Sequence, residues 1–355
     1  MESNQVNRRD FLQKASGFLA AAPFFNSLDF SVDDKPYLTF DFHAHPGLFF
    51  AKETKMYPGD GMLKKTLGDI KEGKLTGAFF ALVADAKVIE IGPTGVKPSR
   101  SYEPNEAWAE YNRQIRILKD LISANDLIFA TKASNLNDAL KSKKTAAFIS
   151  VEGGDFLEGN ASHLYQMYAD GVRSLQLVHY HTNELGDLQT EQAMHNGLSA
   201  AGKDVVKKMN KLKMLIDLAH ATEATTKAVC DITDAPIIIS HSILQTADNR
   251  PMAKRAITVE HAKLVARTGG VIGAWPSGFN TSFDEFLDNT LRLIDAVGID
   301  HVGLGTDMDG NFKPVFSAYT QVPEWIQGLK SKGLKDDEVR KVVGGNAKRV
   351  LSKVL

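Results

Sequence analysis

The chain has 355 residues, longer than an average domain yet within the size that alternating strand and helix units fill as one barrel. Lysine plus arginine number 42 against 43 aspartate plus glutamate, so no overall field draws the protein to nucleic acid or to an anionic membrane. Cys230 is the only cysteine, which excludes an internal disulfide and any cysteine-rich metal cluster and leaves histidine and carboxylate as the ligands of any bound metal.

The N-terminus reads differently from the rest. Asn7-Arg8-Arg9-Asp10-Phe11-Leu12-Gln13-Lys14 is followed by an apolar stretch over 15–25, broken only by Ser16. Paired arginines, Phe-Leu and a short apolar run resemble a twin-arginine export signal. The run is shorter than the roughly 20 residues a membrane span needs, so no stable span is expected in the mature protein. Residues 1–30 are therefore expected to be export signal and linker, 36–355 the folded domain, and the protein is expected to be exported to the periplasm.

From Tyr37 onward, short apolar or β-branched runs alternate with segments of helical periodicity. The runs lie at 37–42, 77–83, 146–151, 172–178, 214–218, 236–240, 270–274 and 301–305. Helices are expected at 103–124, 198–212, 222–231, 259–267, 283–297 and 336–351, with Thr222, Thr258 and Ser282 placed to cap three of them. Strands buried on both faces look continuously apolar, and parallel neighbours need a crossover. Eight such units predict a closed (β/α)₈ barrel. The rival, a doubly wound open sheet, calls for a glycine-rich turn after the first strand, where this chain has His43-Ala44-His45-Pro46. The connection over 84–106, rich in Gly and Pro, is expected to shape the mouth of the site.

Six of the ten histidines fall at the C-terminal ends of the predicted strands: His43, His45, His179, His181, His220 and His241. Barrel active sites are built at that face. His43 and His45 are two residues apart in extended chain and point the same way, suiting one ion, though taken alone the pair is weak evidence for metal because backbone carbonyls can satisfy both. Asp41 reads either as the acid that orients an imidazole or as a buried, capped carboxylate. Glu152 closes the third strand before Gly153-Gly154, as a bridge between two ions or as a turn acid. His220 and His241 each follow an apolar strand, and a convergent ring of imidazoles is relieved of its mutual repulsion by a metal. Asp307, in Thr306-Asp307-Met308-Asp309-Gly310, reads as a general acid or base or as a group that holds a substrate amine. A calcium loop fails there, because the sixth place is Phe312 and the twelfth Ala318. Arg250 reads either as a clamp on a substrate carboxylate or as a solvated loop residue.

These motifs, together with Gly171-Val172-Arg173-Ser174-Leu175, Asp217-Leu218-Ala219-His220, Ile239-Ser240-His241-Ser242, the run over 298–310 and Gly344-Gly345-Asn346-Ala347, resemble the membrane dipeptidases, a family of zinc peptidases among the metal-dependent amidohydrolases. The resemblance covers nearly all of the chain after Tyr37. It implies two Zn2+ ions per chain bridged by Glu152, with His43, His220 and His241 as ligands. It also implies substrate polarisation by His179, carboxylate binding by Arg250 and catalysis by Asp307. A small peptide is the implied partner, and a homodimer is an assembly the resemblance allows. The expected chemistry is metal-assisted amide hydrolysis, with Asp307 carrying a proton to the leaving amine.

One departure matters. The family has His-x-Asp at the end of the first strand, where this chain has His43-Ala44-His45. An imidazole at 45 serves as a zinc ligand but removes one negative charge. His-x-His is also what other amidohydrolases carry; the lysine with which many of them bridge their metals is absent, the fourth strand ending in His179-Tyr180-His181. Two other readings follow: an amidohydrolase acting on another small amide, lactone or ester, and an exported binding protein without catalysis.

Overall fold

A computed structural model of the chain describes residues 35–92, 95–246 and 253–355. The expected signal at 1–30 and Arg250 lie outside the described residues. Tyr37–Leu355 forms one compact unit.

Eight strands close a parallel barrel: β1 (Phe40–Ala44), β2 (Gly77–Val83), β3 (Thr145–Glu152), β4 (Val172–Gln176), β5 (Leu215–Asp217), β6 (Ile238–Ser242), β7 (Val271–Ala274) and β8 (Val302–Leu304). The circle closes where β8 returns to β1 through Asp41 and Leu304. Its longest seam joins β2 to β3, from Gly77 opposite Ala146 to Val83 opposite Glu152. An additional short strand, Leu127–Ala130, pairs with the start of β3. Each predicted run overlaps a barrel strand. The connection over 84–106 carries an antiparallel hairpin of Ile89–Gly92 and Gly95–Pro98.

Alternation along the strands sorts the core into two layers. Phe40, Phe42, Phe79, Phe148, Leu215, Ile238 and Val271 pack together as one cluster. Phe40 meets Phe42, Phe79 and Phe148 edge to face, with ring centroids 5.2–5.9 Å apart. Phe80, Leu82, Ile149, Ile216, Ile239 and Ile272 belong to the larger layer shared with the helices. In β3 the period of two that starts at Phe148 carries Ser150 and then Glu152 onto the Phe148 face. The aromatic cluster therefore plugs the barrel beneath Glu152.

Three strands break the alternation: β4, where two steps from Val172 to Ser174 oppose one on β3, and two strands that carry site histidines. On β1, three steps from Asp41 to Ala44 oppose two steps on β2; on β6, three steps from Ile239 to Ser242 oppose two on β7. One extra residue in each strand is a β-bulge, which re-aims side chains. It brings Phe42 into the plug while the next residue, His43, still reaches the site.

The helices at 259–267 and 283–297 have the predicted bounds. Thr222, Thr258 and Ser282 each accept the N–H three residues on, at 3.0–3.1 Å. Helices Asp60–Glu72, Asn135–Ser142, His163–Ala169 and Val322–Ser331 complete the shell. The single helix expected at 336–351 is instead broken into Asp336–Arg340, a π turn over Lys341–Gly345, and Asn346–Val354. The reason is local: a Cβ on Gly344 would lie 2.3 Å from the Leu38 carbonyl, and Asn346 Nδ2 donates to the carbonyls of Ile299 and Val302. The chain opens its ladder there to lie against β1 and β8.

Candidate metal centre

The C-terminal ends of the strands converge on the carboxylate of Glu152, which is buried. His43 Nε2 stands 3.2 Å from Oε1 and His45 Nε2 3.2 Å from Oε2. From across the barrel, His179 and His220 bring Nε2 to 3.4 Å from Oε1, and His241 to 3.8 Å. The imidazoles also meet in pairs, His43 with His45 and His220 with His241, each with 3.1 Å between Nε2 atoms. Asp307 Oδ1 lies 3.3 Å from His45 Nε2. Among the described residues, three groupings have their ligand atoms within 4.8 Å of one another: His43, His45 and Asp307; His43, Glu152 and His241; and Glu152, His179 and His220.

This is a donor set that fits a divalent ion. Two imidazole pairs turned toward one carboxylate place lone pairs face to face, an arrangement that protons satisfy only in part and cations satisfy fully. The charge states agree with that. Burial favours neutral rings at His220 and His241, and neighbouring positive groups add to it, so both are held well below the ordinary imidazole range. Burial alone would raise Glu152, but His179 and His43 hold it well below the ordinary carboxylate range. Burial likewise opposes a charge on His45, yet Asp307 and Glu152 push it up to about 10. A cation held between those two carboxylates would supply the charge that the proton otherwise supplies.

An outer layer fixes four of the rings, whereas His220 Nδ1 is buried with no hydrogen-bond partner. His45 Nδ1 bonds to the Ala81 carbonyl at 2.9 Å, and His179 Nδ1 to Asp85 Oδ1 at 2.7 Å. The other oxygen of Asp85 accepts the backbone N–H groups of Tyr180 and His181, both at 3.0 Å. Ser240 Oγ lies 3.0 Å from His241 Nδ1 and 3.4 Å from His43 Nδ1. Such partners set the tautomer and aim of a ligating imidazole. Of the two readings of Asp41, the capped carboxylate holds: it accepts the N–H groups of His43 and Thr306 and the hydroxyls of Thr306 and Tyr319. Asp41 thus braces the end of β1 through the backbone. His181 turns away from the cluster, its Nδ1 2.6 Å from Asp155. His220 has a left-handed backbone, φ 66°, which costs a β-carbon residue on the order of 1 kcal/mol.

Sequence reasoning missed two residues of this site. Asp85 follows the apolar end of β2 as Glu152 ends β3, so the strand-end logic would have found it. Arg255 gave less signal, lying fourteen residues beyond His241 in a loop that folds back: Leu244 bridges to Ile257, and Ile257 N–H donates to Ile243 O at 2.9 Å. Arg255 is 2 % exposed, and its guanidinium lies 5.5 Å from the centre of the Trp275 ring, itself packed against His241. Arg255 Nη1 donates to Gln189 Oε1 and the Tyr180 hydroxyl lies beside the guanidinium and favours its charge, whereas no atom stands at ordinary hydrogen-bond geometry to the buried Nε and Nη2.

Comparison with known proteins accords with this geometry. A family described as membrane dipeptidase (peptidase family M19) matches residues 43–355. Dipeptidase aclJ of Aspergillus oryzae is 29% identical over 276 residues, covering 71% of this chain and 64% of the relative. Dipeptidase 3 of Mus musculus is 28% identical over 255 residues, covering 68% and 50%. The chain thus spans between half and about two thirds of the length of these relatives. Among solved structures, a metallopeptidase from Rhodobacter sphaeroides, liganded with a phosphinate mimic of the dipeptide L-Ala-D-Ala, superposes with a TM-score of 0.76 at 22% identity, covering 90% of this chain and 100% of that one. The barrel is shared.

Proposed function

Since this chain belongs to the membrane dipeptidase family, peptidase family M19, we propose that it is a zinc-dependent dipeptidase, with two Zn2+ ions per chain, that hydrolyses the amide bond of short peptides, including those with a D-residue. The observation that carries this reading is the single Glu152 carboxylate set 3.2–3.8 Å from the Nε2 atoms of five imidazoles. Glu152 would bridge, His43 and His45 would hold one ion, and His220 and His241 the other. When bound, such ions supply a nucleophilic hydroxide at neutral pH and polarise the scissile carbonyl.

The remaining residues divide the work. His179, oriented by Asp85, presents Nε2 toward the centre, where it donates to the carbonyl oxygen as negative charge develops. Asp307, on the far side of the same rim from His179, carries a proton to the leaving amine. Arg255 takes the C-terminal carboxylate of the substrate. Its two unpartnered nitrogens are the donors such a group would satisfy, and an anion is what a buried guanidinium beside apolar Trp275 lacks. This assigns to Arg255 the role that the sequence suggested for Arg250. A clamp on a terminal carboxylate limits substrates to short peptides.

A panel of L,L- and L,D-dipeptides, dipeptide amides, simple esters and lactones, assayed with and without a chelator, tests the reading. Chelator-sensitive cleavage of free dipeptides is expected. Cleavage confined to esters or lactones would favour the other amidohydrolase reading, and metal binding without turnover the binding-protein reading. The twin-arginine leader is the basis for proposing further that the protein acts in the periplasm. Among the described residues no helix is long and apolar enough to cross a membrane.

A further inference from the structure

The loop after β4 sets one neutral side chain against Arg255. Leu188 bridges to Ala221, and the Gln189 N–H donates to the His220 carbonyl at 2.8 Å, so this stretch lies along the chain that follows β5. Asp187 holds the loop in shape, its carboxylate accepting the N–H groups of Met194, His195 and Gly197 at 2.6–2.8 Å. With its backbone fixed in this way, Gln189 reaches the returning loop after β6 at two points. Nε2 donates to the Ala256 carbonyl at 3.4 Å, and Oε1 accepts from Arg255 Nη1. The carbonyl needs a donor and the guanidinium an acceptor, so a side-chain amide serves both contacts where a carboxylate or a hydrocarbon would not.

The charge around Arg255 gives that choice a consequence. Gln189 and Trp275 beside the guanidinium are neutral, and burial keeps the phenol of Tyr180 protonated. Glu152 and Asp307 favour the charge of Arg255 from a distance, and among the described residues no carboxylate pairs with it. A buried cation ordinarily has an anionic partner within the protein. We propose that Gln189 is the positioning residue of the substrate-carboxylate site: it holds Arg255 by Nη1, leaves Nε and Nη2 for an incoming anion, and by being neutral leaves the positive charge to that anion. Gln189 acts through Arg255 and does not touch the substrate. A glutamate of the same length would instead complete Arg255 from within and close the site to a second carboxylate. The inference rests on the reading of Arg255 as the group that takes the C-terminal carboxylate of the substrate.

The test compares free dipeptides with their C-terminal amides on zinc-loaded wild type, Gln189→Glu and Gln189→Met, with bound metal and circular dichroism measured for each. Gln189→Glu should raise KM for free dipeptides at least about tenfold, because a charge-assisted pair inside the protein competes with the substrate. Its kcat, its metal content and its kcat/KM for the amides should stay at wild-type values. Gln189→Met keeps length and neutrality but loses the acceptor, and should raise the same KM about 2- to 10-fold, as expected for one neutral hydrogen bond. The preference for free dipeptides over amides should therefore fall from wild type to Gln189→Met to Gln189→Glu. An unchanged KM for free dipeptides in Gln189→Glu overturns the inference. A loss that falls equally on both substrates, or that comes with lost metal, also overturns it, since Gln189 would then only brace the chain at His220. If Gln189→Glu fails to fold, Gln189→Met decides alone: a lowered ratio of free-dipeptide to amide cleavage upholds the inference and an unchanged ratio overturns it. If wild type cleaves amides as readily as free dipeptides, the role of Arg255 and this inference fall while the dipeptidase reading stands. If wild type cleaves neither, all three fall.

Discussion

Arg255 shows how much a single residue decides here. A buried guanidinium with two unsatisfied nitrogens is costly unless something completes it, and charge-assisted hydrogen bonds contribute about 1.5–3 kcal/mol each. If a substrate carboxylate is that partner, Arg255→Met should raise KM for free dipeptides about 10- to 100-fold with a smaller change in kcat. Dipeptide amides, which lack the carboxylate, should be poor substrates for wild type and no worse for the variant. Equal losses on both substrates would show that Arg255 only supports the loop. At this scale the sequence was legible where chemistry sits directly at a strand end: His43, His45, Glu152, His220 and His241 were all singled out, and the fold gathers them. Arg255 was not legible, because its place depends on the loop after β6 folding back through Ile257, and neither periodicity nor spacing encodes that return.

Among the elements, one contact predicts a pH dependence away from the metal centre. The helices Glu223–Cys230 and Val259–Arg267 meet where His261 Nε2 and Thr226 Oγ1 lie 2.7 Å apart. Burial lowers His261 from 6.5 to about 4. A histidine kept neutral in the fold is protonated more readily in the unfolded chain, so its contribution is fully present above pH 6.5 and is lost as the pH falls toward 4. The loss amounts to about 3 kcal/mol. Urea midpoints measured between pH 7 and 4 should therefore decline, and His261→Gln should flatten the decline while lowering stability at neutral pH. An unchanged slope in the variant would show that other groups carry the acid sensitivity. The barrel strands were readable because a strand covered on both faces is apolar throughout. The bulges at His43 and His241 were not, since an extra residue leaves composition untouched while reversing which face each side chain takes. The break at Gly344 was hidden for a related reason: the helical pattern continues on both sides of it, and only the approach of the Leu38 carbonyl requires the opening.

The unit Tyr37–Leu355 is a barrel plugged at one end by aromatic rings and furnished at the other with imidazoles around one carboxylate. That polarity follows from eight strands running in parallel, so that residues at their C-terminal ends share one rim. Export belongs to the same scale. Arg8→Lys/Arg9→Lys should retain the protein in the cytoplasm while the wild-type chain reaches the periplasm, as read by fractionation; equal export of both would remove the twin-arginine proposal. The central claim is that dipeptide hydrolysis depends on two ions held around Glu152. It is tested most directly by stripping the purified chain with chelator, returning zinc in measured equivalents, and following dipeptide hydrolysis against bound metal. Activity absent in the stripped protein, rising with loading and saturating at two ions per chain is the expected result, whereas hydrolysis independent of metal, or two tightly bound ions with no hydrolysis at any loading, would contradict it.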